Sequence, residues 1–439
     1  MHPKLTFGFT DSLQGLSSIS ALDTLSFPRH RWYFVKEAFS PYLVERAIED
    51  SHCSIEDDLI IDMFSGGGTV PLTATLHGFK AVGFEVNPFL AFVSRAKLLR
   101  SRGESFNSAF NDAVAGANEG ALSPLEDFST FSESSVAGKW LFNKGVLRAF
   151  EGGWKSTIGK KHANRDLIRL CLIGAAMDVC NATKDGKCLR YRKDWKGRRF
   201  GKTDFIQALT ERFELVKSDL KNCPLKVSDV YIHPIDSREK IGTELLNDKF
   251  KLCIMSPPYL NSFDYSDVYR PELFLGKFVQ SMEDLRALRL RTIRSHVQVS
   301  WEEPKEMDFG QHFEDSLAEI ELRSRSLWNK RIPSMIPAYF EDMKTILENL
   351  MYCAKSDSAV WIVVSTSAYA GVEIPVDLIL ADIGCKVGWF LREVNVVHYL
   401  RRVSGQQWDR LRDTKETRPY LRESIIILDA TPRKRKARC

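Results

Sequence analysis

The stretch "DDLIIDMFSGGGTVPLTATLHGFKAVGFEV", residues 57–86, decides the fold class of this chain. It contains a short apolar run, three consecutive glycines, a segment with helical spacing that ends in glycine, and a second apolar run. This order predicts a strand, a glycine turn, a helix and a parallel strand, which is the basic unit of an α/β sheet. The next residues, "NPFLAFVSRAKLLR" (87–100), predict a second helix with Asn87 as its N-cap.

Strand patterns return in the second half of the chain, where we predict five more strands at residues 226–236, 249–256, 358–366, 388–400 and 423–430. Amphipathic helices are predicted at 336–355 and 375–384. The resulting pattern predicts an α/β fold with about seven strands, mostly joined by helical crossovers. Residues 101–225 differ, with a buried helix predicted at 164–182 and a Ser-, Asn-, Gly- and Ala-rich stretch at 105–135 that is predicted to include a loop.

The composition is that of an ordinary globular protein, with 439 residues, 44% of them hydrophobic, and a net charge of +5. No apolar run approaches the roughly 20 residues of a membrane span, and the first residues lack the pattern of a signal peptide. We therefore expect a cytoplasmic protein without a membrane partner. The nine cysteines include no C-x-x-C pair, so neither a zinc site nor a disulfide framework is predicted.

The glycine turn and two acidic residues indicate a ligand site. Glycines between a strand and a helix let the backbone approach a ligand, although a tight turn without a ligand is the alternative. The missing lysine argues against a P-loop, and the spacing is not that of a dinucleotide-binding turn. Glu85 and Asp236 each end a predicted strand, where they could accept hydrogen bonds from a ribose and an adenine. Solvated acids are the other interpretation, but together the three features favour a nucleoside-containing ligand.

The stretch "SPPY", Ser256 to Tyr259, ends a predicted strand abruptly, because proline cannot continue inside a sheet. A proline-rich turn or a polyproline ligand is one interpretation. The other is a functional turn whose serine, proline carbonyl and tyrosine ring face a substrate.

Both motifs resemble those of a known family. "DMFSGGGT" resembles the S-adenosylmethionine motif of class I methyltransferases, and "SPPY" resembles the catalytic motif [DNS]-P-P-[YFW] of the DNA amino-methyltransferases that modify cytosine N4 or adenine N6. "RWYFVKEAFSPYLVERAI", residues 31–48, resembles the family's third cofactor segment. Met63 departs from the family, which usually has proline there. The resemblance covers residues 31–100 and 226–430.

The resemblance implies a Rossmann-like class I methyltransferase fold, with a seven-stranded, mostly parallel sheet and a large, mainly helical insertion. It also implies S-adenosylmethionine as cofactor and no metal. The residues that match the cofactor motifs are Phe39, Pro41, Asp62, Phe64, Gly66, Gly68, Thr69, Glu85, Asn87 and Asp236.

The catalytic residues that the resemblance implies are Ser256, Pro257, Pro258 and Tyr259. An exocyclic amino group is a poor nucleophile because its lone pair is delocalised, and acceptors for its hydrogens draw electron density back to nitrogen. A tyrosine ring can stack on a base that has been flipped out of the duplex. Serine in the first position is commoner among cytosine-N4 enzymes, so we favour cytosine N4, while adenine N6 stays open.

The motif order resembles the alpha class of the family, which divides the chain into four parts. Residues 1–100 and 226–430 are the two halves of the methyltransferase domain, 101–225 the predicted target-recognition region, and 431–439 a basic tail. The segment 184–202 has nine Lys or Arg against two Asp, with aromatic residues between them, which suits contact with double-stranded DNA. A solvated basic loop is the alternative.

The segment 286–316 is predicted to overhang the active site, and 399–424 is predicted to be a loop at the same edge. The predicted DNA contacts are Arg190, Tyr191, Arg192, Lys193, Trp195, Lys196, Arg198, Arg199, Arg294 and Arg402.

The sequence therefore predicts a site-specific DNA methyltransferase, with a cognate restriction endonuclease or another defence-system protein as a further partner. An RNA base methyltransferase is the alternative within methyl transfer. A non-catalytic nucleic-acid-binding protein on the same scaffold is the alternative from another class.

Overall fold

A computed structural model describes residues 5–7, 11–13, 16, 19–135, 138–185, 188–227, 229–239, 248–400 and 421–432 of the chain. All structural statements below concern these residues. Among them, no helix is both long and apolar enough to cross a membrane.

The strands form one large sheet and two small hairpins. In chain order they are β1 (Leu5–Phe7), β2 (Leu59–Asp62), β3 (Lys80–Phe84), β4 (Ala182–Asp185), β5 (Cys188–Tyr191), β6 (Val230–His233), β7 (Phe250–Met255), β8 (Ala354–Ser365), β9 (Ser367–Tyr369), β10 (Val372–Ile374), β11 (Phe390–Tyr399) and β12 (Arg422–Asp429).

The large sheet has the order β1-β11-β12-β8-β7-β2-β3-β6. Only β12 among these strands runs opposite to the others, because it pairs antiparallel with both of its neighbours. The seven predicted strands are all present, and the expected class I methyltransferase fold with a mostly parallel sheet is confirmed. The short edge strand β1 is an addition that the sequence analysis did not predict.

Alternate residues of the central strands face opposite sides of the sheet, and both sides are covered. Ile60 packs in one apolar cluster with residues of the first helices, whereas Ile61 packs in another cluster with residues of the long helix at 332–353. A strand buried on both faces needs apolar residues at nearly every position. This requirement explains why β2 and β7 are uninterrupted apolar runs.

The helices in chain order are α1 (Pro41–Asp50), α2 (Thr69–His77), α3 (Pro88–Lys97), α4 (Gly103–Glu119), α5 (Lys144–Lys155), α6 (His162–Asp178), α7 (Lys202–Asn222), α8 (Tyr265–Val268), α9 (Arg270–Leu275), α10 (Met282–Leu290), α11 (Gln311–Leu322), α12 (Ile332–Cys353) and α13 (Val376–Lys386). Short 3-10 helices lie at Asp11–Leu13, Ala21–Leu25, His30–Trp32 and Ser324–Ser326.

The insertion is mainly helical, as predicted, and consists of α4 to α7 with the β4–β5 hairpin. Its apolar core extends onto the helices beside the sheet, since Phe106 and Phe205 belong to the same buried cluster as Phe89 of α3 and Tyr269. The strands of the large sheet belong to two other clusters. The insertion therefore packs directly onto α3 and onto the segment that follows the Ser-Pro-Pro-Tyr turn.

The stretch 105–135 includes a loop after residue 119, as predicted, but α4 occupies its first half and extends to Glu119. Ala109, Ala113 and Ala117 form its buried face. Gly152 of α5 lies so close that an added Cβ would be 2.1 Å from the carbonyl oxygen of Gly116. Small residues that resemble a loop in the sequence are therefore a contact surface for closely packed helices.

Candidate active site

A cavity of about 350 Å³ opens at the carboxyl ends of β2, β3 and β7. In an open α/β sheet, this edge is where ligands bind. The structure brings most of the predicted site residues into the wall of this one cavity: Phe39, Asp62, Phe64, Gly66, Thr69, Glu85, Asn87, Asp236, Ser256, Pro258 and Tyr259. Both motifs therefore face the same space.

Three predicted residues lie beside the wall of the cavity. Pro41 is the first residue of α1, and Pro257 is buried. Gly68 has φ 82° and caps α2, and an added Cβ would be 2.5 Å from Oγ of Ser94. The last glycine of the turn is thus required for the packing of α2 against α3.

The glycine turn is hydrogen-bonded to the residue that follows the neighbouring strand β3. Gly66, with φ 49°, donates its backbone N–H to Oε2 of Glu85 at 2.7 Å. Asn87 donates its backbone N–H to Oε1 of the same carboxylate at 2.8 Å. Each oxygen of Glu85 then keeps a lone pair for a further donor, such as a ribose hydroxyl.

Glu85 is only 9% exposed, so it is not a solvated strand-end acid. Burial raises its pKa to about 7, against the opposing effect of the hydrogen bonds from Asn87 and Gly66. Asp62 is 1% exposed, and its pKa is raised to about 8 by burial, with a smaller contribution from Glu85. The backbone N–H of Phe64 donates to Asp62 Oδ1 at 2.9 Å and opposes this shift.

Lys97 is a buried residue of the site region that the sequence analysis missed. Its ammonium donates to the carbonyl oxygen of Gly67 at 2.9 Å and to that of Tyr33 at 3.0 Å. Burial lowers its pKa to about 7. The side chain connects the glycine turn to the N-terminal segment, whose residues Val35 and Phe39 line the cavity. No local sequence signal marks it, because a lysine near a helix end is usually exposed.

Asp236 lines the cavity, and its carboxylate already accepts hydrogen bonds from within the protein. The guanidinium of Arg238 donates to its two oxygens at 2.5 and 3.0 Å. Arg238 also contacts Asp342 at 3.3 Å. The carboxylate can still accept a further hydrogen bond, but its charge is balanced within the protein.

The catalytic motif follows β7 directly. Ser256, Pro258 and Tyr259 line the cavity, and the hydroxyl of Tyr259 donates to Oε1 of Glu423 at 2.6 Å. Burial, followed by Glu423, raises the pKa of Tyr259 well above its ordinary value, while a side-chain hydrogen bond with Ser256 has the opposite effect. Tyr259 is therefore a neutral phenol at physiological pH.

Glu423 was missed by the sequence analysis, although it begins a predicted strand. Because β12 runs antiparallel to the strands around it, its first residues lie at the edge where the parallel strands end. Glu423 consequently lines the cavity beside Tyr259 of the catalytic motif. An acidic residue at the start of a strand would have indicated this site only if the antiparallel direction of that strand had been known.

The segment after the catalytic motif covers the cavity, where Leu288, Arg291, Thr292, Ser295 and His296 line the wall. This placement agrees with the predicted overhang of 286–316. The guanidinium of the exposed Arg291 has no hydrogen-bond or ion-pair partner within the described part of the chain.

The predicted DNA contact at Arg294 is wrong. Its guanidinium is 9% exposed and donates to Asp342 at 2.7 Å and to Glu341 at 2.6 Å. A buried arginine whose charge is balanced by two carboxylates is not available to a phosphate. The remaining predicted contact of this edge, Arg402, lies outside the described residues.

The basic segment around β5 divides into exposed and structural residues. Trp195 is 8% exposed and its ring packs edge-on against Trp140, with ring centroids 4.8 Å apart, so the predicted DNA contact at Trp195 is wrong. Tyr191 is half-buried beside Trp195, and Arg192 donates to the carbonyl oxygen of Cys180 at 2.9 Å. The exposed cations are Arg190, Lys193, Lys196, Arg198 and Arg199, of which Arg190 pairs with Asp185 and Arg198 with Asp194.

This segment is attached to α9 and to the N-terminal segment through Lys184 of β4. The ammonium of Lys184 lies 2.5 Å from Oε1 of Glu272 and 3.7 Å from the ring centroid of Tyr269. Tyr33, from the N-terminal segment, donates to the same Glu272 oxygen at 2.6 Å. Three separate parts of the chain therefore meet at one buried carboxylate.

Comparisons with known proteins agree with this geometry. No family model matches the chain. The chain is 26% identical over 447 residues to Type II methyltransferase M.BsoBI from Geobacillus stearothermophilus, covering 91% of this chain and 85% of the relative. It is also 26% identical over 421 residues to Type II methyltransferase M.AvaI from a Nostoc strain and from Anabaena variabilis, covering 87% of this chain and 83% of each relative.

Among solved structures, the rRNA methyltransferase aviRa from Streptomyces viridochromogenes aligns with a TM-score of 0.34 and 9% identity, covering 96% of each chain. This is a distant likeness only. The curated relatives confirm the resemblance to methyltransferases that the two motifs predict.

Proposed function

We propose that this relative of the Type II methyltransferases is a site-specific DNA methyltransferase that modifies the exocyclic amino group of a flipped base. The observation that supports it is the single cavity, whose wall includes both the glycine turn with Glu85 and the Ser-Pro-Pro-Tyr turn. A methyl donor and a base held in these two halves would lie side by side, and close positioning supplies much of the catalysis of a transfer reaction.

The residues present suit S-adenosylmethionine as the methyl donor. Phe39, Phe64 and Leu90 give apolar walls for a nucleoside, while Glu85 keeps acceptor capacity on both oxygens. Asp236 lies where it could accept from an adenine amino group. When bound, S-adenosylmethionine supplies an electrophilic methyl group on a positively charged sulfur. The buried carboxyl groups of Asp62 and Glu85 favour a ligand with that charge.

The base is proposed to bind against the catalytic motif. Ser256 Oγ and the carbonyl oxygen of Pro257 accept the amino hydrogens, which returns electron density to the nitrogen. The ring of Tyr259 stacks on the base, and the two prolines hold the turn rigid. The serine favours cytosine N4 as the target atom, in line with its frequency in the resembled family.

Double-stranded DNA is the proposed macromolecular substrate. Arg291 offers a free guanidinium at the rim of the cavity, and the exposed cations at 190–199 offer a second basic surface. The names of the relatives favour a role in a restriction-modification system, which makes a cognate endonuclease a proposed partner.

Methylation of plasmid DNA, followed by mass spectrometry of the digested nucleosides, tests the proposal. We expect N4-methylcytosine that depends on S-adenosylmethionine. N6-methyladenine would contradict the assignment of cytosine as the target base but would still support a DNA methyltransferase that acts on an amino group. Methyl transfer to RNA alone would favour an RNA base methyltransferase, and cofactor or DNA binding without transfer to either would favour a non-catalytic role.

A further inference from the structure

Part of the cavity wall is formed by a segment of irregular backbone, residues 33–39, which we call the wall segment. Its residues 35–39 line the cavity, yet the segment belongs to no helix or strand. It contains one turn, in which the N–H of Ala38 donates to the carbonyl oxygen of Val35 at 3.2 Å. Because it lacks a helical or sheet hydrogen-bond ladder, the wall segment depends on side-chain contacts for its position.

Two residues at the start of α9 supply such contacts. Tyr33 donates its hydroxyl proton to Oε1 of Glu272 at 2.6 Å. Tyr269 donates its hydroxyl proton to Oε2 of Glu37 at 2.7 Å. These hydrogen bonds hold the wall segment at its first residue and at one of the residues that line the cavity.

Lys184, from the β4–β5 hairpin of the insertion, contacts both of these residues of α9 and its start. Its ammonium lies 2.5 Å from Oε1 of Glu272 and 3.7 Å from the ring centroid of Tyr269. Glu272 is fully buried, and its Oε2 has no hydrogen-bond partner within the described part of the chain. A buried carboxylate depends on its cation, because removal of one partner of a buried ion pair leaves an uncompensated charge.

Tyr33 also connects these contacts to the glycine turn. Its carbonyl oxygen accepts a hydrogen bond from the ammonium of Lys97 at 3.0 Å, and the same ammonium donates to the carbonyl oxygen of Gly67 at 2.9 Å. The ring of Tyr33 packs edge-on against Phe89 of α3, with ring centroids 5.1 Å apart. A displacement of Tyr33 therefore disturbs two sides of the cofactor half of the cavity.

We propose that Lys184 and Glu272 are positioning residues through which the insertion completes the cofactor site. The charge of Lys184 keeps Glu272 in place as the acceptor for Tyr33, and Tyr33 fixes the wall segment. Among the described residues, neither member of this ion pair lines the cavity, so the pair acts through Tyr33 and not by touching a ligand.

This inference rests on the proposed function and deepens it. Lys184 belongs to the predicted target-recognition region, and the inference makes it a residue that full affinity for S-adenosylmethionine requires. The insertion then has two roles, of which the support of the cofactor site is independent of any contact with DNA.

Calorimetric titration of the full chain with S-adenosylmethionine tests the inference in Lys184→Met. Methionine is also a long, unbranched side chain but carries no charge, so Glu272 loses its ion-pair partner in a buried site. We expect the dissociation constant to rise about 3-fold to 30-fold, the range for changes in a contact network that does not touch the ligand. In methyl transfer, KM for S-adenosylmethionine should rise while kcat at saturating cofactor is kept.

Lys277→Met is the matched control. The ammonium of Lys277 lies 2.8 Å from Oε1 of the buried Glu151 in α5, so this pair also joins the insertion to the region of α9. No hydrogen bond or ion pair connects it to the wall segment within the described residues. Both lysine variants should lower the Tm, but only Lys184→Met should weaken cofactor binding. Glu321→Gln, an exposed acid outside the cavity wall, is a second control.

Two further variants keep the test decisive if Lys184→Met folds poorly. Lys184→Met combined with Glu272→Gln removes both charges, and the amide oxygen can still accept from Tyr33, so this double variant should recover most of the lost affinity. Tyr33→Phe removes only the hydroxyl group and should weaken cofactor binding about 2-fold to 10-fold.

An unchanged dissociation constant in a folded Lys184→Met variant or in Tyr33→Phe would overturn the inference. Equal weakening in Lys277→Met would also overturn it, as would a double variant that binds no better than Lys184→Met. Wild-type protein that does not bind S-adenosylmethionine would overturn the proposed function, and this inference with it. Wild-type binding combined with unaffected Lys184→Met and Tyr33→Phe variants overturns the inference alone.

Discussion

The backbone nitrogen of Gly66 lies 2.7 Å from Oε2 of Glu85, so the turn after one strand is hydrogen-bonded to the acid that ends the next. A change at Glu85 therefore removes a ligand contact and also frees the glycine turn. We expect Glu85→Ala to weaken S-adenosylmethionine binding about 10-fold to 100-fold, as for lost hydrogen bonds to a charged group. Isothermal titration calorimetry measures this, with Glu321→Gln as control. An unchanged dissociation constant would remove Glu85 from the cofactor site.

The catalytic motif gives the second prediction. Ser256→Ala and Tyr259→Ala should abolish methyl transfer, with a loss of at least about 100-fold, while the affinity for S-adenosylmethionine survives. Ser256 and Tyr259 face the half of the cavity proposed for the base, so cofactor binding does not depend on them. Transfer is measured with a labelled methyl group, and binding by calorimetry. Near-normal transfer in either variant would show that the assigned mechanism is wrong.

The pH dependence of stability gives the third prediction. The pKa of Asp62 is about 8 in the folded protein and 3.8 ordinarily, so between these values the folded state keeps a proton that the unfolded state has released. Stability therefore falls as the pH rises through this window. Asp62→Asn removes the contribution of this carboxyl group to the pH dependence. The Tm of the variant, relative to that of the wild type, should therefore increase as the pH rises from about 5 to about 8.

Two neighbouring groups affect the same measurement. The pKa of Glu85 is also raised, to about 7, so Glu85 also lowers the stability as the pH rises. The Asp62→Asn variant therefore keeps part of the decrease in stability with pH. The pKa of Lys97 is lowered to about 7, so above that pH the folded state releases a proton that the unfolded state retains. Lys97 therefore raises the stability as the pH rises above about 7. Thermal unfolding without cofactor at constant ionic strength is the measurement. A Tm difference that does not vary with pH would contradict the prediction.

Arg291 gives the fourth prediction. Its free guanidinium at the cavity rim suits a phosphate of the target strand, so Arg291→Ala should weaken DNA binding and reduce the salt slope by about one. Fluorescence anisotropy with a labelled duplex, over a range of salt concentrations, measures both. Arg325→Ala, an exposed arginine outside the cavity wall, is the control. Equal salt slopes in the two variants would argue against a phosphate contact at Arg291.

The sequence predicted the strands and the motif positions well because both depend on local rules. Apolar runs define buried strands, and Asn87 caps α3 as expected, accepting from the backbone N–H of Phe89 at 3.0 Å. Glu85 and Asp236 follow parallel strands of one sheet. Because the carboxyl ends of parallel strands lie at the same edge, the two side chains could be predicted to lie near each other.

Predictions that depended on burial of single side chains were less successful. Arg294 and Trp195 are residue types common at DNA interfaces, yet one is enclosed by two carboxylates and the other packs against Trp140. Glu423 and Lys97 were missed because strand direction and long-range contacts bring them to the site. No local pattern reports such contacts.

The apolar core that the insertion shares with α3 and with Tyr269 has a consequence for engineering. Phe106 and Phe205 are buried with Phe89 and Tyr269, so the insertion is not a cassette that can be cut out and replaced without opening the core. Chimeras that exchange residues 101–225 between relatives should therefore be unstable. The exposed residues at 193–199 can be substituted without opening this core, so they are the better positions for testing the proposed role of the insertion in DNA recognition.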